Sequence, residues 1–212
     1  MIKHVPHLVV GAPWNGDSLD LSIMQWKHLT KVLRLNRGDR ISYTDGLGHL
    51  GDGILSDHAV DRGDEREVPR NSELVVASAP PSNKDRQRFL VEKLAEMGVA
   101  RLRWLRTTRG KERIASGTKV FSWVLSAVEQ SRGAWLMETS SDLVGWSDLV
   151  GPVVVCHPGG RTDTPHVRTV VIGPEGGFGD EQLPADVVRW DLGPNILRIE
   201  SAAIVAAARL MS

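Results

Sequence analysis

Three apolar runs in the last third of the chain end in the same way. Val153-Val154-Val155-Cys156 leads into His157-Pro158-Gly159-Gly160, and Val170-Val171-Ile172 leads into Gly173-Pro174-Glu175-Gly176-Gly177. Trp190 leads into Asp191-Leu192-Gly193-Pro194. Short continuous apolar runs closed by glycine and proline read as strands buried on both faces, which belong to parallel sheets covered by helices. The segments around them fit that scheme. "ELVVASA" from Glu73 reads as a strand, and "KDRQRFLVEKLAEMG" as a helix with a Leu90, Leu94 and Met97 stripe, capped by Ser82 with Asp85 returning the bond and stopped at Gly98. "ARLRWLRTT" reads as a strand with arginine on alternate positions. "TKVFSWVLSAVEQS" reads as a second helix using Val120, Phe121, Val124, Leu125 and Val128. "DVVRWDLG" reads as a further strand and "SAAIVAAARLM" as a closing alanine-rich helix. Strands alternating with helices predict an α/β layer with a mostly parallel sheet.

Residues 1–68 have a different texture. "HLVVG" is a short strand, and "SIMQWKHLTKVLR" sets Ile23, Trp26, Leu29, Val32 and Leu33 at helical spacing. Asp45-Gly46 and Gly51-Asp52-Gly53 stand between apolar runs as hairpin signals. The pattern predicts a small barrel or sheet with one packed helix. The polar stretch 60–71 reads as a connection, which divides the chain into domains at 1–70 and 71–212. The single cysteine, Cys156, excludes an internal disulfide and a zinc site built on several thiolates, and suits a reducing cytoplasm. The seven histidines show no metal-type pairing, so no metal is expected. Apolar runs fall well short of the ~20 residues of a membrane span, and the first residues lack the apolar core of a signal peptide.

Net charge is zero but unevenly spread. Residues 73–121 hold 11 basic and 5 acidic side chains, whereas residues 122–212 hold 6 and 11. A basic middle is the footprint of a polyanion partner, or else a solvated helix face.

In an open parallel sheet ligands sit beyond the carboxyl ends of the strands. Three bare turns at that rim are tight connections, or the walls of a pocket rich in backbone amides and carbonyls, suited to a flat hydrogen-bonding ring. "GPEGGFG" lacks the Lys-Ser/Thr of a phosphate loop and the glycine order of a dinucleotide site. Its carboxylate, Glu175, would repel a phosphate, which points to a neutral or cationic ligand. Arg198 and Glu200, ahead of the last helix, read as an ion pair anchoring a loop or as groups orienting a substrate.

"VVIGPEGGFGDEQ" followed by "LGPNILRIESAA" resembles the bacterial 16S ribosomal RNA (uracil-N3) methyltransferases of the SPOUT class. "VEKLAEMGV", "AVEQS" and "HLTKVLRLNRGDRISYTDGLG" extend the resemblance over nearly the whole chain. The resemblance implies a PUA-like RNA-binding β-barrel domain, then a SPOUT trefoil-knot α/β domain working as a homodimer on the assembled small ribosomal subunit. It implies S-adenosyl-L-methionine as cofactor, held by three turns. These are His157 and Pro158; Ile172, Gly173, Pro174, Glu175, Gly176 and Gly177; and Leu192 and Gly193 with Ile196, Leu197 and Arg198. On that reading Arg198 and then Arg132 stabilise a developing uridine anion. Glu175 holds the sulfonium or takes the N3 proton, or it only sets its loop. Lys84, Arg86, Arg88, Arg101, Arg103, Arg106, Arg109, Lys111 and Arg113 meet RNA phosphates, with Trp104 either stacked on a base or in the core. His28, Lys31, Arg34, Arg37 and Arg40 add a smaller basic edge to the first domain.

The sequence departs from the family at "SRGAWLME", where Arg132 precedes Gly133 and Met137 replaces a proline. It departs again at Asn195, Ile199 and Ser201, the last keeping a hydroxyl able to cap the final helix. The altered "SRGAWLME" segment keeps open an RNA-binding module of the same fold without turnover. A small-molecule nucleotide enzyme with no RNA partner is a third reading. The basic middle predicts that binding to small subunits weakens steeply between 50 and 200 mM salt, on the order of 10²-fold or more for several phosphate contacts. A flat salt response in a filter-binding titration contradicts that assignment.

Overall fold

The computed structural model describes residues 5–109, 113–178 and 183–212; Lys111, Asp180 and Glu181 lie outside the described residues. The chain divides into two units, one of residues 1–70 with 128–136, the other of residues 71–127 with 137–212. The segment carrying Glu129 and Arg132 therefore groups with the N-terminal residues.

The first unit is a five-stranded sheet in the order β1-β3-β4-β5-β2. Its strands are β1 (His7–Val9), β2 (Ser18–Asp20), β3 (Arg40–Thr44), β4 (His49–Leu55) and β5 (Ala59–Glu67). β1 runs parallel to β3, and the other pairs are antiparallel. Leu8, Leu19, Leu29, Ile41, Tyr43, Leu55 and Val60 fill its core. Asp45 makes the β3–β4 turn: its carboxylate accepts from the Leu47 and His49 amides at 2.7 and 3.1 Å and from His49 Nδ1 at 2.6 Å.

Three sequence expectations change here. Gly51-Asp52-Gly53 is no turn; it lies inside β4, where the register with β5 shifts. Much of the polar stretch 60–71 is β5, a strand whose outward positions are exposed. The expected helix is only α1 (Ile23–Lys27), which continues as a π-helical turn, His28–Val32. The wider π turn changes the phase of the side chains. Leu29 is buried, Ile23 and Val32 stay 68% and 65% exposed, and the spaced stripe does not face one core.

In the second unit all six strands are parallel, in the order β11-β9-β10-β6-β7-β8. They are β6 (Val75–Ser78), β7 (Arg101–Leu105), β8 (Glu138–Val144), β9 (Val153–Arg161), β10 (Thr169–Ile172) and β11 (Val188–Trp190). The order moves outward from β6 to β8, then returns so that β10 lies between β9 and β6. β10 is buried at every position, as a strand covered on both faces must be. α2 (Lys84–Glu96) and α4 (Ile199–Met211) pack together in this unit. α3 (Gly117–Ser131) buries Val120, Trp123, Val124 and Val128 but leaves Phe121 48% exposed, against expectation. Asn83, not Ser82, caps α2, accepting from the Asp85 amide at 2.7 Å. α4 begins at Ile199 behind Arg198, so Ser201 lies within its first turn and is not the cap.

Gln87, on the inner side of α2 and 1% exposed, pins a loop that has no strand partner. Its amide nitrogen donates to the Pro81 and Arg113 carbonyls, both at 2.8 Å, and its oxygen accepts from the Ala115 amide at 3.0 Å. Removing it leaves buried polar groups unpaired. Gln87→Leu is expected to lower the unfolding free energy by about 1–3 kcal/mol in urea denaturation; an unchanged midpoint contradicts this role.

Candidate functional site

Because β11, β9 and β10 are neighbours and parallel, the three glycine- and proline-rich turns emerge at one rim of the sheet. β9 and β11 make room for the first turn by an irregularity. Val155 pairs with Arg189 and Arg161 with Trp190, so residues 156–160 loop out between two paired positions. Gly160 permits this: a Cβ there would come within 2.5 Å of the Arg189 backbone. In the third turn Gly193 has φ +137°, a conformation L side chains rarely adopt.

The turns enclose a cavity of about 700 Å³. Its wall contains His157 and Pro158 from the first turn and Ile172, Gly173, Pro174, Glu175, Gly176 and Gly177 from the second. The third contributes Leu192, Gly193, Ile196, Leu197 and Arg198. Cys156, Phe178, Asp191 and Ala202 also line it. Phe178 packs on Trp146, ring centroids 5.6 Å apart. The wall thus combines backbone polar groups, apolar faces and one glutamate. Burial pushes the Cys156 thiol up to about 12, so it stays protonated at neutral pH and is no nucleophile.

Two charged side chains missed in the sequence brace the turns. Asp191 accepts from the Gly159 amide with Oδ2 and from the Gly193 amide with Oδ1, both at 2.9 Å, tying the first turn to the third. Arg209, in the last turn of α4, lies 4.6 Å over the Trp190 ring and donates to the Thr162 carbonyl at 2.7 Å. Asp191 stands in a quoted motif, but nothing in its spacing distinguishes a turn brace from an exposed acid.

The expected charged residues separate into groups. Arg198 lies in the cavity wall at the head of α4, with no carboxylate within ion-pair distance among the described residues. The anticipated Arg198–Glu200 pair is not made; Glu200 binds Arg86 through Nε and Nη2 at 3.0 and 2.8 Å. Glu175 also takes a hydrogen bond from Arg86, through Nη1. Arg132 belongs to the first unit, where Nη2 donates to the Val5 carbonyl at 2.6 Å, and it is not among the cavity's residues. Arg88 pairs with Glu92 at 2.7 Å, and Arg101 and Arg103 face Glu138 at 2.8 and 3.9 Å. Arg109 donates to the Gly176 carbonyl at 3.4 Å; Lys84 and Arg106 are exposed, as are Lys31 and Arg34 in the first unit. Trp104 is fully buried, which removes it as a stacking platform.

Comparison with known proteins places this geometry. Residues 68–211 match a family model described as an RNA methyltransferase domain. No protein of curated function matches the sequence. Among solved structures, a methyltransferase candidate from Legionella pneumophila in complex with the bound cofactor SAM is similar at TM-score 0.82 and 25% identity, over 98% of this chain and 97% of that one. Ribosomal RNA small subunit methyltransferase E from Neisseria gonorrhoeae, bound to S-adenosyl methionine, is similar at TM-score 0.82 and 23% identity, over 97% and 96%. A protein of Thermotoga maritima predicted to be an RNA methyltransferase is similar at TM-score 0.76 and 26% identity, over 97% of each chain. The fold implied by the resemblance, a SPOUT-type α/β domain with a small PUA-like β domain, is the fold this chain shares with them.

Hydrogen bonds from Gly193 and Gly159 hold the Asp191 carboxyl below its ordinary value. A lowered value means that the brace is in place above the unfolded-state pKa and is lost as pH falls through the folded one. The amide resonances of Gly159 and Gly193 are therefore expected to titrate together, with a shared midpoint below ~3.9. Independent titrations, or a midpoint at or above that value, contradict the brace.

Proposed function

The chain belongs to the RNA methyltransferase domain family, and from that premise we propose that it methylates N3 of one uridine in the 16S ribosomal RNA of the assembled small subunit, using S-adenosyl-L-methionine. The observation that carries this reading is the convergence of three parallel-strand turns on one cavity. The residues present suit such a donor. A cavity of about 700 Å³ accommodates a ligand of that size class. The backbone groups of the turns match the edge of a flat ring, Ile172, Phe178, Leu192 and Leu197 supply apolar faces, and the Glu175 carboxylate suits a cation.

When bound there, S-adenosyl-L-methionine supplies an electrophilic methyl on a sulfonium. The chain's own residues bind and orient. The looped-out part of β9 and the turns after β10 and β11 fix the ligand against the sheet rim, so that much of the acceleration comes from positioning. Arg198, at the positive end of α4 and free of a carboxylate partner among the described residues, offers a cation for the charge that the uracil ring gains when N3 loses its proton. Lys84, Arg106 and Arg109 are the basic residues of the second unit best placed to meet phosphates, since Arg86, Arg88, Arg101 and Arg103 are engaged by carboxylates. Lys31 and Arg34 extend that role to the first unit, residues 1–70 acting as the RNA-binding domain. The reading includes a homodimer, as the resemblance implies, in the reducing cytoplasm that the single cysteine suits.

Mass mapping of small-subunit RNA lacking the mark, after incubation with the protein and S-adenosyl-L-methionine, tests the proposal. One uridine is expected to gain a methyl at N3, and Arg198→Ala is expected to slow the transfer by about 10²-fold. Cofactor binding with no transfer to any subunit uridine contradicts the reading and favours a binding module.

A further inference from the structure

Arg86 occupies the first turn of α2, and its guanidinium joins two carboxylates that are distant in sequence. Nε and Nη2 form a fork with both oxygens of Glu200, at 3.0 and 2.8 Å. Nη1 donates to Glu175 Oε1. The two carboxylates differ in setting. Glu200 is 7% exposed, in the first turn of α4, where the helix N-terminus also favours negative charge. Burial is the largest influence and would raise its carboxyl, but the Arg86 hydrogen bonds, a backbone hydrogen bond and the charges of Arg86 and Arg198 together hold it below its ordinary value. Glu175 is more than half exposed and lies in the cavity wall, whereas neither Arg86 nor Glu200 lines the cavity. One end of the chain of charges is therefore fixed in packed helices, and the other reaches the tip of a glycine-rich turn, where Gly177 N–H also donates to the Pro174 carbonyl and Arg109 to the Gly176 carbonyl.

We propose that Arg86 is a positioning residue: anchored by Glu200, it fixes Glu175 and with it the Gly173–Gly177 turn, making Glu175 a loop anchor and not the group that takes the substrate proton. Its consequence for cofactor affinity rests on the donor site proposed above, but the anchoring is a property of the ligand-free chain. The arrangement needs an arginine. A lysine ammonium is a point donor without the planar fork that serves Glu200 with one edge while reaching Glu175 with the remaining nitrogen. It also takes Arg86 out of the set of RNA contacts that the basic middle of the sequence suggested.

The test uses the full-length protein with Arg86→Lys, Glu200→Gln, Glu175→Gln and the double variant Glu200→Gln/Glu175→Gln, with Lys93→Gln as a helix-surface control. Hydrogen exchange of the Gly173, Glu175, Gly176 and Gly177 amides is measured without ligand, S-adenosyl-L-methionine affinity by calorimetry, and KM for small subunits by methyl transfer. Each single variant of the three charged residues is expected to raise exchange in the turn and to weaken cofactor binding by about tenfold, the scale of one charge-assisted hydrogen bond. KM for subunits and the control should not change. Because the effect of Glu200 passes through Arg86 to Glu175, Glu200→Gln should add little once Glu175 is Gln, a non-additivity that a merely structural role does not produce. Should a buried-pair variant fail to fold, Glu175→Gln alone decides, since it sits at the exposed end and should loosen the turn without lowering the melting temperature. Unchanged exchange in the turn, full additivity in the double variant, or a change confined to KM for subunits overturns the proposal. Exchange is read on ligand-free protein, so a wild-type chain that binds no cofactor defeats the functional reading while leaving this inference decided by its own data.

Discussion

The structure of the second unit depends on parallel pairing. Antiparallel neighbours place successive strand ends on opposite rims, but six parallel strands place every carboxyl end on the same one. With β10 inserted between β9 and β6, the strands carrying the three bare turns become near neighbours, and residues from 156 to 202 meet around one cavity. The apolar character of the runs follows from the same constraint. Val154, Val155, Val170 and Val171 are fully buried, because helices and loops cover both faces of the sheet.

Turns built from glycine and proline have few side chains with which to hold their shape. The chain meets this with charged residues placed just behind them. Asp191 ties the first turn to the third through two backbone amides. Arg209 lies over Trp190 at the end of β11 and bonds the carbonyl of Thr162, just past β9. Arg86 connects the second turn to the start of α4. The polar groups nearest the cavity thus serve mainly to hold its walls, which leaves Arg198 as the cation in the lining without a carboxylate partner among the described residues. A site of this kind works by holding two reactants in register, in keeping with a reaction whose electrophile is activated before it binds.

Much of this was legible in the sequence where burial or backbone geometry writes directly into residue type. Strands covered on both faces leave uninterrupted valine and isoleucine, and turns with close approaches leave glycine. Hence β6, β9 and β10 stand out by composition, whereas β7, RLRWL, and β11, VRW, carry arginines at partly exposed positions, and the individual residues of the three turns were named by the family resemblance. Strands with exposed faces leave no such mark. β5 reads as a polar linker, β2 is three residues long, and β8, "ETSSDLV", has no apolar run at all. The α1 stripe misled because a π turn shifts phase without changing composition. Partner choice was least legible: Arg86 reads as one more cation in a basic stretch, yet its carboxylates lie 89 and 114 residues away. Only the fold could pair them.

The central claim is that the three turns act together as one donor site. A crystal structure of the protein soaked with S-adenosyl-L-methionine tests it most directly. Expected is a single bound molecule touching the His157–Gly160, Gly173–Gly177 and Leu192–Arg198 turns at once. A molecule bound at only one turn, or in the separate hollow lined by Pro152, His166 and Arg168, would contradict it.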